Sequence, residues 1–216
     1  MKPGIINNFE IKNICCIGAG YVGGPTMSVI ADKCPDIMVT VVDINTEKII
    51  CWNEEDLKKL PIYEPNLEDV ISRVRNRNLF FSTDIENSIK KADLIFISVN
   101  TPIKEKGIGS GKASNLKWVE SSARQISSYA EGHTIVVEKS TLPVRTAEVI
   151  QLILNSSQNQ TNPDHENKSF DVLSNPEFLV PTLCLLNFPS GNLVLASFKR
   201  LLMTSIPKNL FLELLL

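Results

Sequence analysis

The chain is 216 residues long, with 22 basic and 24 acidic side chains, 43% hydrophobic and 21% charged residues, the proportions of an ordinary globular protein. That length buries a continuous core but leaves little room for two full-sized domains. A net charge of −2 offers no attraction to a polyanion, so no nucleic-acid partner is expected.

In chain order, short apolar and β-branched runs at 13–17, 38–42, 79–82, 94–99, 134–137 and 170–173 read as strands. Helix-length segments lie at 21–33, 45–53, 66–75, 84–91, 115–131 and 143–154, several opening on a capping residue: Asn45, Asn66, Asp84 or Asn115. Strands joined by helical crossovers pair in parallel, and a run such as Leu94-Ile95-Phe96-Ile97 suits burial on both faces. The expected class is α/β: a doubly wound, Rossmann-type, mostly parallel six-stranded sheet. Residues 104–112, with three glycines, and the polar stretch 155–168 read as loops.

The five cysteines are Cys15, Cys16, Cys34, Cys51 and Cys184, with no CxxC pair. The adjacent pair inside an apolar run reads as core thiols, not as a bridge or a metal site, and implies a reducing, cytoplasmic setting. The first thirty residues lack the unbroken apolar stretch of a signal peptide. No run reaches the roughly 18–20 apolar residues of a membrane span.

Chemistry concentrates after the first strand. Gly18-Ala19-Gly20-Tyr21-Val22-Gly23 is a GxGxxG between strand and helix, and Asp43 ends the second strand twenty residues beyond Gly23. That order and spacing match a dinucleotide site. Gly18 makes the turn, Gly20 admits the pyrophosphate, Gly23 lets helix and strand pack, and the helix N-terminus faces the phosphates. An acid at Asp43 accepts ribose hydroxyls and repels a 2′-phosphate, which favours NAD over NADP.

Val99-Asn100-Thr101-Pro102 leaves the fourth strand where ligand loops lie in such sheets, although a strand-ending turn before proline explains it equally well. Lys139, Ser140 and Thr141 reach the same rim after the fifth strand, where either hydroxyl is also a plain cap for the helix beginning at Pro143. Glu177, just past the sixth strand, is either a general base or a solvated turn residue.

Six segments in the same order, CCIGAGYVGGPT (15–26), VTVVDIN (39–45), LPIYEPNLEDV (60–70), FISVNTP (96–102), EKSTLPVRTAE (138–148) and LSNPEFL (173–179), resemble the UDP-glucose/GDP-mannose dehydrogenase family. The resemblance covers roughly 9–179. It implies an NAD-dependent enzyme that oxidises the sugar C6 alcohol of UDP-glucose twice, through a cysteine thiohemiacetal and thioester, to UDP-glucuronate. It also implies homo-oligomeric assembly. By position it makes Gly18, Ala19, Gly20, Tyr21, Val22 and Gly23 the pyrophosphate loop, with Asp43 holding the adenosine ribose and Lys48 the basic residue beside it. Val99, Asn100, Thr101, Pro102, Ile103 and Ser140 are implied cofactor contacts. Thr141 would hold a water near the reacting carbon, and Glu177 would act as base in thioester hydrolysis, with Phe178 and Leu179 beside it toward the substrate.

Past Leu179 the similarity stops. Residues 180–216 contain twelve leucines, three prolines and a single acid, Glu213. They read as a buried helix pair, as a partner- or membrane-surface segment, or as sequence that does not continue the domain. The expected division is therefore 1–179 for the NAD-binding domain and 180–216 for a divergent tail. Cys184 lacks the glycine-rich context of the family's nucleophile. The expected alternative to an enzyme is thus an NAD-binding fragment without turnover that joins full-length subunits.

Overall fold

The computed structural model describes residues 9–103, 114–139, 146–156 and 168–175. Within them the order is β1 (Asn13–Ile17), α1 (Gly23–Lys33), β2 (Met38–Val42), α2 (Thr46–Asn53), α3 (Leu67–Val74), β3 (Leu79–Ser82), α4 (Ile85–Lys91), β4 (Leu94–Ile97), α5 (Lys117–Tyr129), β5 (His133–Glu138), α6 (Thr146–Ser156) and β6 (Ser169–Ser174). A single 3-10 turn, Leu57–Lys59, lies between α2 and α3.

The six strands form one parallel sheet in the order β3-β2-β1-β4-β5-β6. The chain leaves β1 toward one edge, then returns through α4 to lay β4 on the other side of β1. The strand order therefore reverses between β1 and β4, and there the carboxyl ends diverge into a crevice. The expected doubly wound α/β sheet is the observed one.

Alternation along the strands sends successive side chains to opposite faces. Cys16, Val39, Val41, Phe96 and Val137 join the core beneath α1, α2 and α3, with Met27, Trp52 and Ile71. Cys15, Ile17, Ile95, Ile97 and Val136 join the core beneath α4, α5 and α6, with Ile126, Ile150 and Leu154. The adjacent cysteines are thus split between two cores. Helix α3 shows the matching period: Leu67, Ile71 and Val74 are buried, one face of a 3.6-residue repeat. Each fully buried side chain of this size is worth ~1.5–3 kcal/mol of transfer free energy.

Caps and boundaries differ in detail from the sequence reading. Asn45 and Asp84 accept from the backbone N–H of Lys48 and Asn87, at 3.0 and 3.2 Å. Asn115 accepts from the Lys117 N–H at 3.1 Å but stands one residue before the cap position, which Leu116 occupies without a side-chain bond. Asn66 makes no side-chain cap and instead takes φ +67°, a left-handed turn that Asn tolerates. β4 ends at Ile97, two residues short of the expected limit. Its last ladder bonds, Ser98 N–H to Ile17 O at 2.9 Å and Lys139 N–H to Ile97 O at 3.0 Å, exhaust the partners, because β1 ends at Ile17. Helix α1 starts at Gly23 and not Tyr21, so Tyr21 and Val22 finish the turn before it. The segments 104–112 and 180–216, most of 155–168, and the residues Ser140, Thr141, Glu177, Phe178 and Leu179 lie outside the described residues.

Candidate functional site

A cleft of about 670 Å³ opens at the carboxyl ends of β1, β2 and β4. Its floor is the turn after β1. Gly18 has φ +111°, and a Cβ there would run into the Ser98 carbonyl; its N–H donates to Val42 O at 2.7 Å. Three strand ends are therefore drawn together at a position only glycine can occupy. A Cβ on Gly23 would meet the Gly18 carbonyl, which is how α1 packs so tightly on β1. Gly20 differs, because a Cβ there would have open space around it. Gly20 itself lines the cleft.

Asp43 anchors one end of the cleft. Its carboxylate accepts from the Ala19 N–H (2.9 Å), the Asn45 N–H (2.9 Å) and Lys48 Nζ (2.8 Å). Burial by itself would raise its pKa, but the Lys48 ammonium and the two amides outweigh that and hold the carboxyl below its ordinary 3.8. Asp43 is thus a carboxylate at neutral pH. A carboxylate has roughly four lone-pair sites, so three donors leave one for a ligand.

At the opposite end Lys139, only 3% exposed, donates from Nζ to Asn175 Oδ1 at 2.9 Å. Among the described residues lining the cleft, the charged side chains are Asp43, Lys48 and Lys139. The first turn of α1 contains no acid, so its dipole end adds to a net positive lining. Such a wall is suited to an anionic group.

The structure brings together Gly18, Ala19, Gly20, Tyr21, Val22, Asp43, Lys48, Val99, Asn100 and Thr101 in the lining of this one cleft. Gly23 sits behind it as a packing residue, and Pro102 and Ile103 are outside the lining. Ile103 is exposed and bridges to Ser114. The lining also includes Ile44, Ile62, Trp118 and Gln125, for which the sequence carried no local signal.

Behind the floor lies Trp52, fully buried, whose Nε1–H donates to the Ala19 carbonyl at 3.0 Å. Its ring stacks on Phe81 with centroids 4.6 Å apart and fills the space a Cβ on Gly24 would need. Sequence reasoning passed over it because an apolar residue on a helix reads as core.

Residues 12–198 match the UDP-glucose/GDP-mannose dehydrogenase family, NAD binding domain. The chain belongs to this family. NAD is accordingly its cofactor, and the open Gly20 turn, the ionised Asp43 and the positive lining fit it. The UDP-glucose 6-dehydrogenase of Drosophila melanogaster is 60% identical over 166 residues, 77% of this chain and 33% of that protein. That of Bos taurus is 57% identical over 171 residues, 79% of this chain and 33% of that protein. A ternary complex of GDP-mannose dehydrogenase from Pseudomonas aeruginosa superposes with a TM-score of 0.60 at 31% identity, covering 76% of this chain and 36% of that one. The chain spans about a third of the length of the curated relatives it matches.

The four cysteines among the described residues divide clearly. Cys15, Cys16 and Cys34 are buried free thiols, Cys51 is half-exposed, and none lines the cleft. Burial pushes Cys15 up and takes Cys16 to about 12, so neither supplies a thiolate near neutral pH. No helix among the described residues is long and apolar enough to cross a membrane.

Proposed function

We propose that this chain binds NAD across the cleft and forms the cofactor half of an enzyme that oxidises UDP-glucose to UDP-glucuronate. The observation that carries the reading is the bond between the turn and the acid: Ala19 N–H on Asp43 at 2.9 Å fixes a phosphate-binding turn and a ribose acceptor in one frame.

In this reading the remaining acceptor site of Asp43 takes a ribose hydroxyl, and Lys48 donates to its neighbour. A 2′-phosphate would place its charge against the carboxylate, so NAD is preferred over NADP. Gly18 through Val22 lie along the pyrophosphate, with Gly23 holding α1 behind them. Ile44, Val99 and Trp118 offer apolar surface to the adenine; Asn100 and Thr101 line the passage toward β5. Pro102 and Ile103 act by shaping that passage. Bound NAD supplies a hydride acceptor, one for each of the two oxidations from alcohol to carboxylate. The roles of Ser140 at the cofactor, Thr141 with its water, Glu177 as base, and Phe178 and Leu179 at the substrate rest on the family resemblance.

The same reading places the domain at 1–179 with 180–216 as a divergent tail, a boundary that falls inside the family match, which runs on to residue 198, and it puts the chain in the cytoplasm, where thiols stay reduced. It assembles with itself or with longer subunits.

The cysteine pattern favours a second reading for the chain acting alone: it binds NAD without turnover, because no described thiol reaches the cleft and the two-step oxidation implied by the resemblance needs one. Purified chain incubated with NAD and UDP-glucose while NADH absorbance is followed separates the two. NADH formation supports the enzyme reading for the isolated chain. NAD binding without NADH supports the second reading.

A further inference from the structure

We infer that Trp52 is a positioning residue for the cofactor phosphates: by holding the Ala19 carbonyl inward, it aims the Gly20 N–H into the cleft. This rests on the reading that the cleft takes a dinucleotide.

The Ala19 carbonyl and the Gly20 N–H belong to one peptide unit. Every described peptide bond is trans, and in a trans unit C=O and N–H point in opposite directions. The Trp52 Nε1–H bond at 3.0 Å pulls the oxygen toward α2, so the hydrogen faces the other way, away from α2, at a residue that lines the cleft. The next unit is fixed similarly: the Gly20 carbonyl accepts from Gly24 N–H at 3.1 Å, which turns the Tyr21 N–H outward. Without Trp52 the first unit could flip, presenting a carbonyl oxygen to the phosphates in place of a donor.

Trp52 itself is well held. Its ring lies between Phe81 and α1 at Gly24, and Arg75 Nη1 ties its backbone carbonyl (2.9 Å) and that of Glu54 (2.7 Å) together. The indole is therefore rigid enough to orient a peptide.

The test is W52F in the full chain, which retains a stacking ring but removes the N–H. Calorimetric titration with NAD, ADP and adenosine is the readout, since adenosine reaches Asp43 but carries no phosphate. The expected result is about tenfold weaker NAD and ADP binding, ~1.4 kcal/mol, with adenosine affinity unchanged. Equal weakening of all three, or no weakening, overturns the inference. Should W52F fail to fold, amide NMR of the unsubstituted chain decides: ADP is expected to move the Gly20 N–H and Trp52 Nε1–H resonances while adenosine moves neither. A Gly20 resonance unmoved by ADP, while that of Asp43 moves, overturns it. Absence of any NAD binding by the unsubstituted chain would instead remove the cofactor reading itself.

Discussion

Lys48 Nζ lies 2.8 Å from Asp43 Oδ2, with the lysine side chain 34% and the carboxylate 11% exposed. Asp43 also binds the glycine turn through the Ala19 N–H at 2.9 Å. Charge and loop geometry therefore meet at one carboxylate, the proposed ribose acceptor.

Replacing Asp43 with Asn removes that charge with little change of shape. NAD affinity is expected to fall at least about tenfold, on the scale of a lost charge-assisted hydrogen bond, while the preference for NAD over NADP narrows. Parallel titrations with the two cofactors check it; an unchanged NAD/NADP ratio would show that selectivity lies elsewhere.

Gly18→Ala puts a Cβ against the Ser98 carbonyl at φ +111°. Strain of this kind costs at least ~2 kcal/mol, read as a fall in Tm of roughly 4–8 °C. Gly20→Ala meets no protein atom within 4 Å, so it should leave Tm nearly unchanged while weakening NAD. Opposite behaviour of the two variants would contradict the assigned division of labour.

The sheet was legible because strand and helix periods alternate plainly, and the dinucleotide turn because GxGxxG and Asp43 are local signals at fixed spacing. Asn66 misled as a cap, since Asn is favoured both as an N-cap and in left-handed turns. Lys139 was legible by its place after the fifth strand, but Trp52 and Trp118 reach the site through tertiary packing: nothing near Trp52 in sequence announces that its N–H meets Ala19, 33 positions away. The end of β4 was overextended because Val99 is as good a strand former as Ile97, and only the missing partner beyond Ile17 stops the ladder.

Acid stability follows from carboxylates held below their ordinary values. The Arg73 guanidinium, hydrogen-bonded to Asp32 at 3.0 Å, depresses that carboxyl, joining α3 to α1. For Asp43, Lys48 and two amides outweigh the opposing effect of burial. A folded pKa below the unfolded value adds stability that is complete above the unfolded value and is lost as pH falls through the folded one. Neither group should change the urea midpoint between about pH 5 and 8, and both should contribute to a decline below about pH 4. D32N should show a shallower acid decline than the unsubstituted chain; an identical decline would exclude the Asp32–Arg73 pair as a contributor.

Thiol labelling of the native chain, followed by peptide mass mapping, should modify half-exposed Cys51 well before Cys15, Cys16 or Cys34. Early labelling of Cys16 would mean that the β1 core opens far more readily than its packing indicates.

The most direct measurement is calorimetric titration of the purified full chain with NAD and, separately, with NADP. The cleft geometry predicts saturable one-to-one binding of NAD and at least about tenfold weaker binding of NADP, as the like charges of Asp43 and a 2′-phosphate require. Equal affinity for both cofactors, or no binding of NAD, would contradict the account of the Asp43 end of the cleft.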